Sequence, residues 1–399
     1  MKFSIKRSAF INELANVLRA ISSKTTIPIL TGLKLVATDN ELVLTGSNSD
    51  ITIQSTLSTT DGAFELMIEE PGAIVLPARF FNEIVKKLPD NKVTLEVKTG
   101  FQANIISGSA EFKVNGQDAN NYPHLPEMES NENVQLAPDL LREVIDQTRI
   151  AVSKQESRPI LTGIHVLLTS NQLTAIATDS HRLAQRKVTL PETVEVPADV
   201  VIPGTSMTEL ARMIADQNEA IEMQIAENMV LFKFGHTLFY SRLLEGNYPE
   251  TSRLIPDTST TDLEIDATTL LNAISRASLL SHEGRNNVIK LTLDPEQKLV
   301  KISGDSADVG NVEEELTFEN LDGDELAISF NPDYMGDALK SFGGIKVKLA
   351  FNSPLRSAPG EAHLQKNPRK NPGQSICVWQ LLHLQTKYCE DRSAHKGSP

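Results

Sequence analysis

The chain has 399 residues, 40% hydrophobic and 23% charged, with a formal charge of −14; that length predicts two or three domains of ordinary size. No apolar run approaches the roughly 18 residues of a membrane span, and Asn12 and Glu13 interrupt the opening MKFSIKRSAFINEL before a signal-type segment forms, so the expected location is cytoplasmic. Both cysteines, Cys377 and Cys389, lie near the end, which excludes a disulfide framework from the body, and the acidic balance argues against bulk attraction to nucleic acid while leaving room for a locally basic face.

Along the chain, apolar residues at helical spacing predict helices over Phe10 to Ile21, Leu140 to Val152 and Leu270 to Leu280. Each is followed by alternating stretches that read as strand, polar turn, strand: LKLVATDNELVLTG, IHVLLTSNQLTAIAT and IKLTLDPEQKLVKISG. A strand running into a second helix comes next, in VLPARFFNEIVKKLPD, VIPGTSMTELARMIAD and ISFNPDYMGDALKSFGG, with proline placed near the first helical turn. The order is a repeat. IPILTGLKL at Ile27 and RPILTGIHV at Arg158 nearly coincide at an offset of 131, which also carries Ser22 to Ser153 and Gly46 to Ala177. The chain therefore reads as α+β modules of about 115 to 130 residues, each with two helices and hairpin-connected strands. Polar, proline-containing stretches divide it into residues 1–125, 126–256 and 257–355.

Past Leu355 the alternation stops, and Pro359, Pro368 and Pro372 oppose regular structure. Seven basic and three acidic residues lie there, against 31 and 49 before. The tail, 356–399, fits a disordered segment, a basic nucleic-acid-binding tail or an altered reading frame.

The three repeats, together with TIPIL, LPARFF, ATDSHRLA and LLEGNYPETSRLIP in this order, resemble the bacterial DNA sliding clamp, the beta subunit of DNA polymerase III, over residues 1 to about 355. The resemblance implies a head-to-tail homodimer whose six domains close a ring, helices lining the hole and antiparallel sheets outside. It implies a processivity factor: a clamp that encircles duplex DNA without reading sequence, is opened by a separate ATP-using clamp loader, and tethers the DNA polymerase III catalytic subunit and other clamp-binding proteins. Under it, Lys24, Arg79, Lys154, Gln155 and Arg158 would meet DNA phosphates. A client-peptide groove would be formed by Arg158, Leu161, Thr178, His181, Arg182, Leu183, Pro249 and Leu254. The dimer contact would use Phe112 and Val114 on one side and Leu279 and Leu280 on the other. As residues alone, the same cations read as solvated side chains and the same apolar residues as core. The family's closing strands have no counterpart after Arg356, which suggests a frameshift near codon 357 and a second reading: a clamp defective in dimerisation or client binding, with an open sheet edge.

No cofactor and no catalysis are expected. Thr178-Asp179-Ser180-His181-Arg182 holds a carboxylate, a hydroxyl and an imidazole, but contiguous residues in a strand-to-turn segment point in different directions. No P-loop, dinucleotide fingerprint or zincin motif occurs. His363, Cys377, His383, Cys389 and His395 lack the paired spacing of a structural metal site.

Overall fold

The computed structural model describes residues 1–124, 128, 133–190, 193–194, 197–255, 258–281 and 287–352, with the backbone of the strands Glu361–Lys366 and Ile376–Leu381. By contacts the chain forms two compact units, 1–177 with 187–248, and 178–186 with 249–399.

Among its described residues the first unit holds four α-helices: α1 (Arg7–Val17), α2 (Ala78–Lys87), α3 (Pro138–Thr148) and α4 (Gly204–Met213). α1 starts three residues before Phe10 and α3 two before Leu140, because a strand or proline feeds straight into the helix without a side-chain cap. Each continues into a single 3-10 turn, Leu18–Ala20 and Arg149–Ala151. Pro77 and Pro203 sit at the N-cap of α2 and α4, one position ahead of the first helical turn. There proline removes a donor that the helix could not have satisfied.

The duplication is visible in the backbone. Pro28–Thr31 and Pro159–Thr162 are matching 3-10 turns, leading into the strands Gly32–Ala37 and Gly163–Thr169. The turns before Ile51 and Arg182 also match, with Ser49 and Ser180 both at left-handed φ, 81° and 75°. A five-stranded antiparallel sheet ends on Ala110–Asn115. An eight-stranded sheet joins the two modules: Thr237–Arg242 pairs antiparallel with Ile51–Ser58, setting Phe239 opposite Ile53. Both are fully buried. Phe3, Phe10 and Phe81 fill the first module's interior in edge-to-face pairs.

The second unit carries α5 (Ala267–Ser281) and α6 (Pro332–Phe342). α6 has Pro332 in its first turn, Asn331 capping the Asp333 amide, and Gly343 ending it at φ 70°. Its four-stranded sheet runs from Leu326–Phe330 to an edge at Gly310–Glu315. The expectation that the third module's sheet stops at Phe351 is corrected. Glu361–Lys366 pairs with Lys346–Phe351, and Ile376–Leu381 pairs with both Glu361–Lys366 and Arg182–Arg186. An open edge would leave a row of backbone donors and acceptors without partners, and ladder bonds depend little on side-chain identity, so a segment without clean alternation still takes the place.

Candidate functional site

The sites follow from what the repeat leaves exposed. After the first helix of each of the first two modules, a serine hydroxyl holds a tight loop: the Lys24 amide donates to Ser22 Oγ and the Gln155 amide to Ser153 Oγ, each at 3.1 Å. Lys24 and Gln155 are thus repeat equivalents presented by the same turn. Lys24, Arg79, Lys154, Gln155 and Arg158 are all exposed, and among the described residues Lys24, Arg79 and Lys154 have no carboxylate partner.

Charge is partitioned between layers. Among the described residues the six α-helices carry eight basic and eight acidic residues, so the whole net charge of −14 lies outside them. Sequence reasoning missed Arg19, Arg149 and Arg212, which with Lys154 line a cavity of about 740 Å³. Arg19 and Arg212 share Glu209, and Arg149 Nε lies 2.8 Å from Asp146 Oδ1. The signal was available: Arg19 and Arg149 both fall in the 3-10 turn that extends a module's first helix.

The expected groove residues divide between the units. Thr178, His181 and Arg182 share one turn, in the same unit as Leu183, Pro249 and Leu254; Arg158 and Leu161 belong to the other. The Thr178 hydroxyl donates to the Arg182 carbonyl at 2.7 Å, and Asp179 Oδ1 accepts from the amides of His181 and Arg182. Arg182 is nearly buried. Its Nε lies 3.1 Å from Asp179 Oδ2, a terminal nitrogen 3.0 Å from Asp337 Oδ2, and its guanidinium 4.4 Å from the Tyr334 ring centre. Burial first, and then the Asp179 charge, push the Tyr334 phenol up. A guanidinium held this way stiffens the turn, so the expectation that it bounds a peptide narrows to the exposed His181 and Arg158. Leu161 and Leu183 are buried, Leu254 is half-buried and Pro249 exposed.

The same turn carries the carboxylate, hydroxyl and imidazole noted in the sequence. Asp179 holds Arg182 and backbone amides, not the His181 imidazole, so no carboxylate–imidazole–hydroxyl relay is assembled. Among the described residues no group of three His, Cys, Asp or Glu could hold a metal. The tail histidines and cysteines lie outside the described side chains.

The expected dimer residues lie on an edge strand in one case and on a helix beside an edge strand in the other. Phe112 is 41% exposed and Val114 half-buried on Ala110–Asn115, the last strand of its sheet. Leu279 is 69% exposed and Leu280 half-buried on α5. This helix packs on the edge strand Gly310–Glu315, to which Arg276 fastens it through two bonds to Glu314. That contact holds the Glu314 carboxyl below its usual range.

Comparison with known proteins follows the module pattern. Residues 1–126 match the N-terminal domain of the DNA polymerase III beta subunit, 135–250 its central domain and 252–365 its C-terminal domain. The chain is 47% identical over 357 residues to the beta sliding clamp of Bacillus subtilis (strain 168), covering 89% of this chain and 94% of that protein. Among solved structures, the DNA polymerase sliding clamp from Bacillus subtilis superposes with a TM-score of 0.90 at 45% identity, covering 96% of this chain and 98% of that one. The beta subunit from Streptococcus pyogenes gives 0.89 at 36%, covering 96% and 99%. No described helix is long and apolar enough to cross a membrane.

Proposed function

Because the chain belongs to the DNA polymerase III beta subunit family, the beta sliding clamps, we propose the following division of labour among its residues. The protein is a processivity clamp. It closes with a second copy around duplex DNA and tethers the polymerase and other clamp-binding proteins, and a clamp loader places it there. It works in the cytoplasm as a binding ring and catalyses no reaction.

The observation that carries this reading is one position seen twice. Phe239 and Phe112 occupy equivalent places in the last strand of two modules. The first is buried against Ile53 of the neighbouring module; the second stands at a bare edge. Gly310–Glu315, in the place that Ile51–Ser58 takes in the first module, is the other bare edge. A second copy that sets its Ala110–Asn115 against Gly310–Glu315 repeats the internal junction, with Phe112, Val114, Leu279 and Leu280 covered, and two such seams close the assembly.

Lys24, Arg79, Lys154, Gln155 and Arg158 serve as phosphate contacts. Lys24, Arg79, Lys154 and Arg158 carry positive charge, and Gln155 a neutral donor, on loops and at a helix start beside helices whose own charges nearly balance, which attracts DNA while permitting it to slide. Client-peptide binding is assigned to His181, Pro249, Leu254 and Leu183 on the rigid turn of Thr178 and Arg182 in one unit, and to Arg158 and Leu161 in the other. The chain divides functionally at 1–125, 126–256 and 257–355, with the paired strands after 360 completing the third module.

The test is retention on nicked circular DNA after loader-driven assembly, followed by linearisation of that DNA. Retention on circles with loss from linear ends is expected. Failure to be retained, beside a retained family member, would establish instead a clamp fold that cannot close.

A further inference from the structure

The residue pattern expected of the client groove has a counterpart one repeat earlier, and a cavity lies there. A cavity of about 430 Å³ lies where the first two modules meet inside the first unit, its apolar side formed by Ile27, Leu30, Met229 and Leu243. Its first-module members stand at the repeat positions of the groove residues. Leu30 corresponds to Leu161, Ser47 to Thr178, Ile27 to Arg158 and Thr52 to Leu183, all at the offset of 131, while Pro123 and Pro249 each close an Asn-Tyr-Pro string. The turns are built alike: the Ser49 amide donates to Ser47 Oγ as Ser180 does to Thr178 Oγ1, and Asn48 accepts amides where Asp179 does.

Two differences define what the cavity would take. Ile51, buried, stands where Arg182 stands in the second module, so the turn offers no cation of its own. The cation comes instead from the adjoining module: Arg242 lines the cavity, is exposed, and has no carboxylate partner among the described residues. Ile27, 42% exposed, is an apolar side chain left uncovered beside it. One guanidinium, the paired hydroxyls of Ser47 and Thr52 at 2.8 Å, and the carboxylate of Glu245 on the lining suit a peptide backbone with one acidic side chain better than a bare anion such as phosphate.

We propose that this cavity is a second peptide-docking site of the clamp. It takes an extended segment of a partner protein in which a branched or aromatic apolar side chain adjoins a carboxylate: the apolar group enters between Ile27, Leu30 and Met229, and the carboxylate meets Arg242. The proposal rests in part on reading the second-module residues as a peptide groove, so the experiment observes both places at once.

The probe is a capped tetrapeptide of sequence DLFL, titrated into the intact protein with methyl-labelled Ile, Leu and Met and followed by NMR. Saturable shifts of Ile27 and Met229 below about 1 mM peptide are expected. The Met229 shift should vanish in Ile27→Glu, an exposed site where folding is not at stake, while both shifts should need about tenfold more peptide in Arg242→Glu and persist in Leu254→Lys. Shifts at Leu161 and Leu254 alone would overturn the proposal and leave the second-module groove standing. Shifts at Ile27 and Met229 alone would support the site and remove the groove reading. Silence at both would overturn each of them.

Discussion

The internal junction and the two bare edges are the same construction at different stages of completion. At the junction, Thr237–Arg242 pairs with Ile51–Ser58 and Phe239 is fully buried; at the outer edge, the equivalent Phe112 is 41% exposed. TLFYSR and AEFKVN carry phenylalanine at the same place, flanked by Leu238 and Tyr240 in the covered strand and by Glu111 and Lys113 in the bare one. The difference lies in whether a neighbouring strand is supplied by the same chain. A module that buries its edge inside one copy and bares it in the next position is a repeat that closes only by association.

That comparison can be broken most directly at the covered phenylalanine. Phe239→Ala should destabilise the protein by about 3–5 kcal/mol, the range for removing a buried aromatic ring, read from chemical denaturation. Phe112→Ala should leave the unfolding of dilute monomer within about 0.5 kcal/mol, as exposed substitutions do. Equal losses would mean that Phe112 belongs to its own module's core. At the assembly level the ranking reverses. Phe112→Ala combined with Leu279→Ala should weaken dimerisation by about 10- to 100-fold in sedimentation equilibrium, the scale of losing interface anchors, while Phe239→Ala in the surviving folded fraction should not. A dimer constant unchanged by the double variant would place the seam elsewhere.

The repeat, the six helices, the hairpins and the exposed cations were legible because they depend on local periodicity and composition. Three things were not. Arg182 is committed to Asp337, 155 residues away, and no spacing rule links them. Leu161 and Leu183 are buried while Leu254 is only half-buried, a distinction set by tertiary packing and invisible to hydropathy. Strands at Glu361–Lys366 and Ile376–Leu381 were unreadable because an unpaired edge recruits backbone and requires little of side chains. The cavity at Ile27 shared this fate: its two walls come from different modules, so the offset of 131 aligns one wall with the groove and says nothing of Arg242.

Smaller effects sharpen the comparison between layers. Lys24→Ala, Arg79→Ala and Lys154→Ala should each weaken DNA binding by a similar factor for every duplex sequence. Each should lower the slope of log K against log salt by up to about 0.9, the value per phosphate neutralised. A loss confined to particular sequences would contradict a sliding contact. No comparable change should follow replacement of Arg149, whose nearest carboxylate, Asp146, already neutralises it.

The smallest effect distinguishes the covered junction from the open seam by pH. The turn before Thr237 carries His236, whose Nε2 lies 3.0 Å from Glu13 Oε2. Glu13 is itself buried and takes the Ser55 hydroxyl at 2.7 Å. Phe64 meets the imidazole edge-on. The hydrogen bond to Glu13 raises the His236 pKa, opposed by desolvation and aided by the charges of Glu13 and Asp61. Since the folded value is raised, the protonated imidazole stabilises the fold fully below the unfolded value of about 6.5, and this contribution is lost as pH rises through the higher folded value. The wild-type melting temperature should therefore fall relative to His236→Gln as pH rises from about 6.5 through that higher folded value. At the bare edge the matching turn, Gly108-Ser109 against Gly235-His236, has both glycines at left-handed φ but serine where the imidazole stands. The dimer constant should then not share the pH dependence over that interval; if it does, the titrating group belongs to the seam and not to the junction.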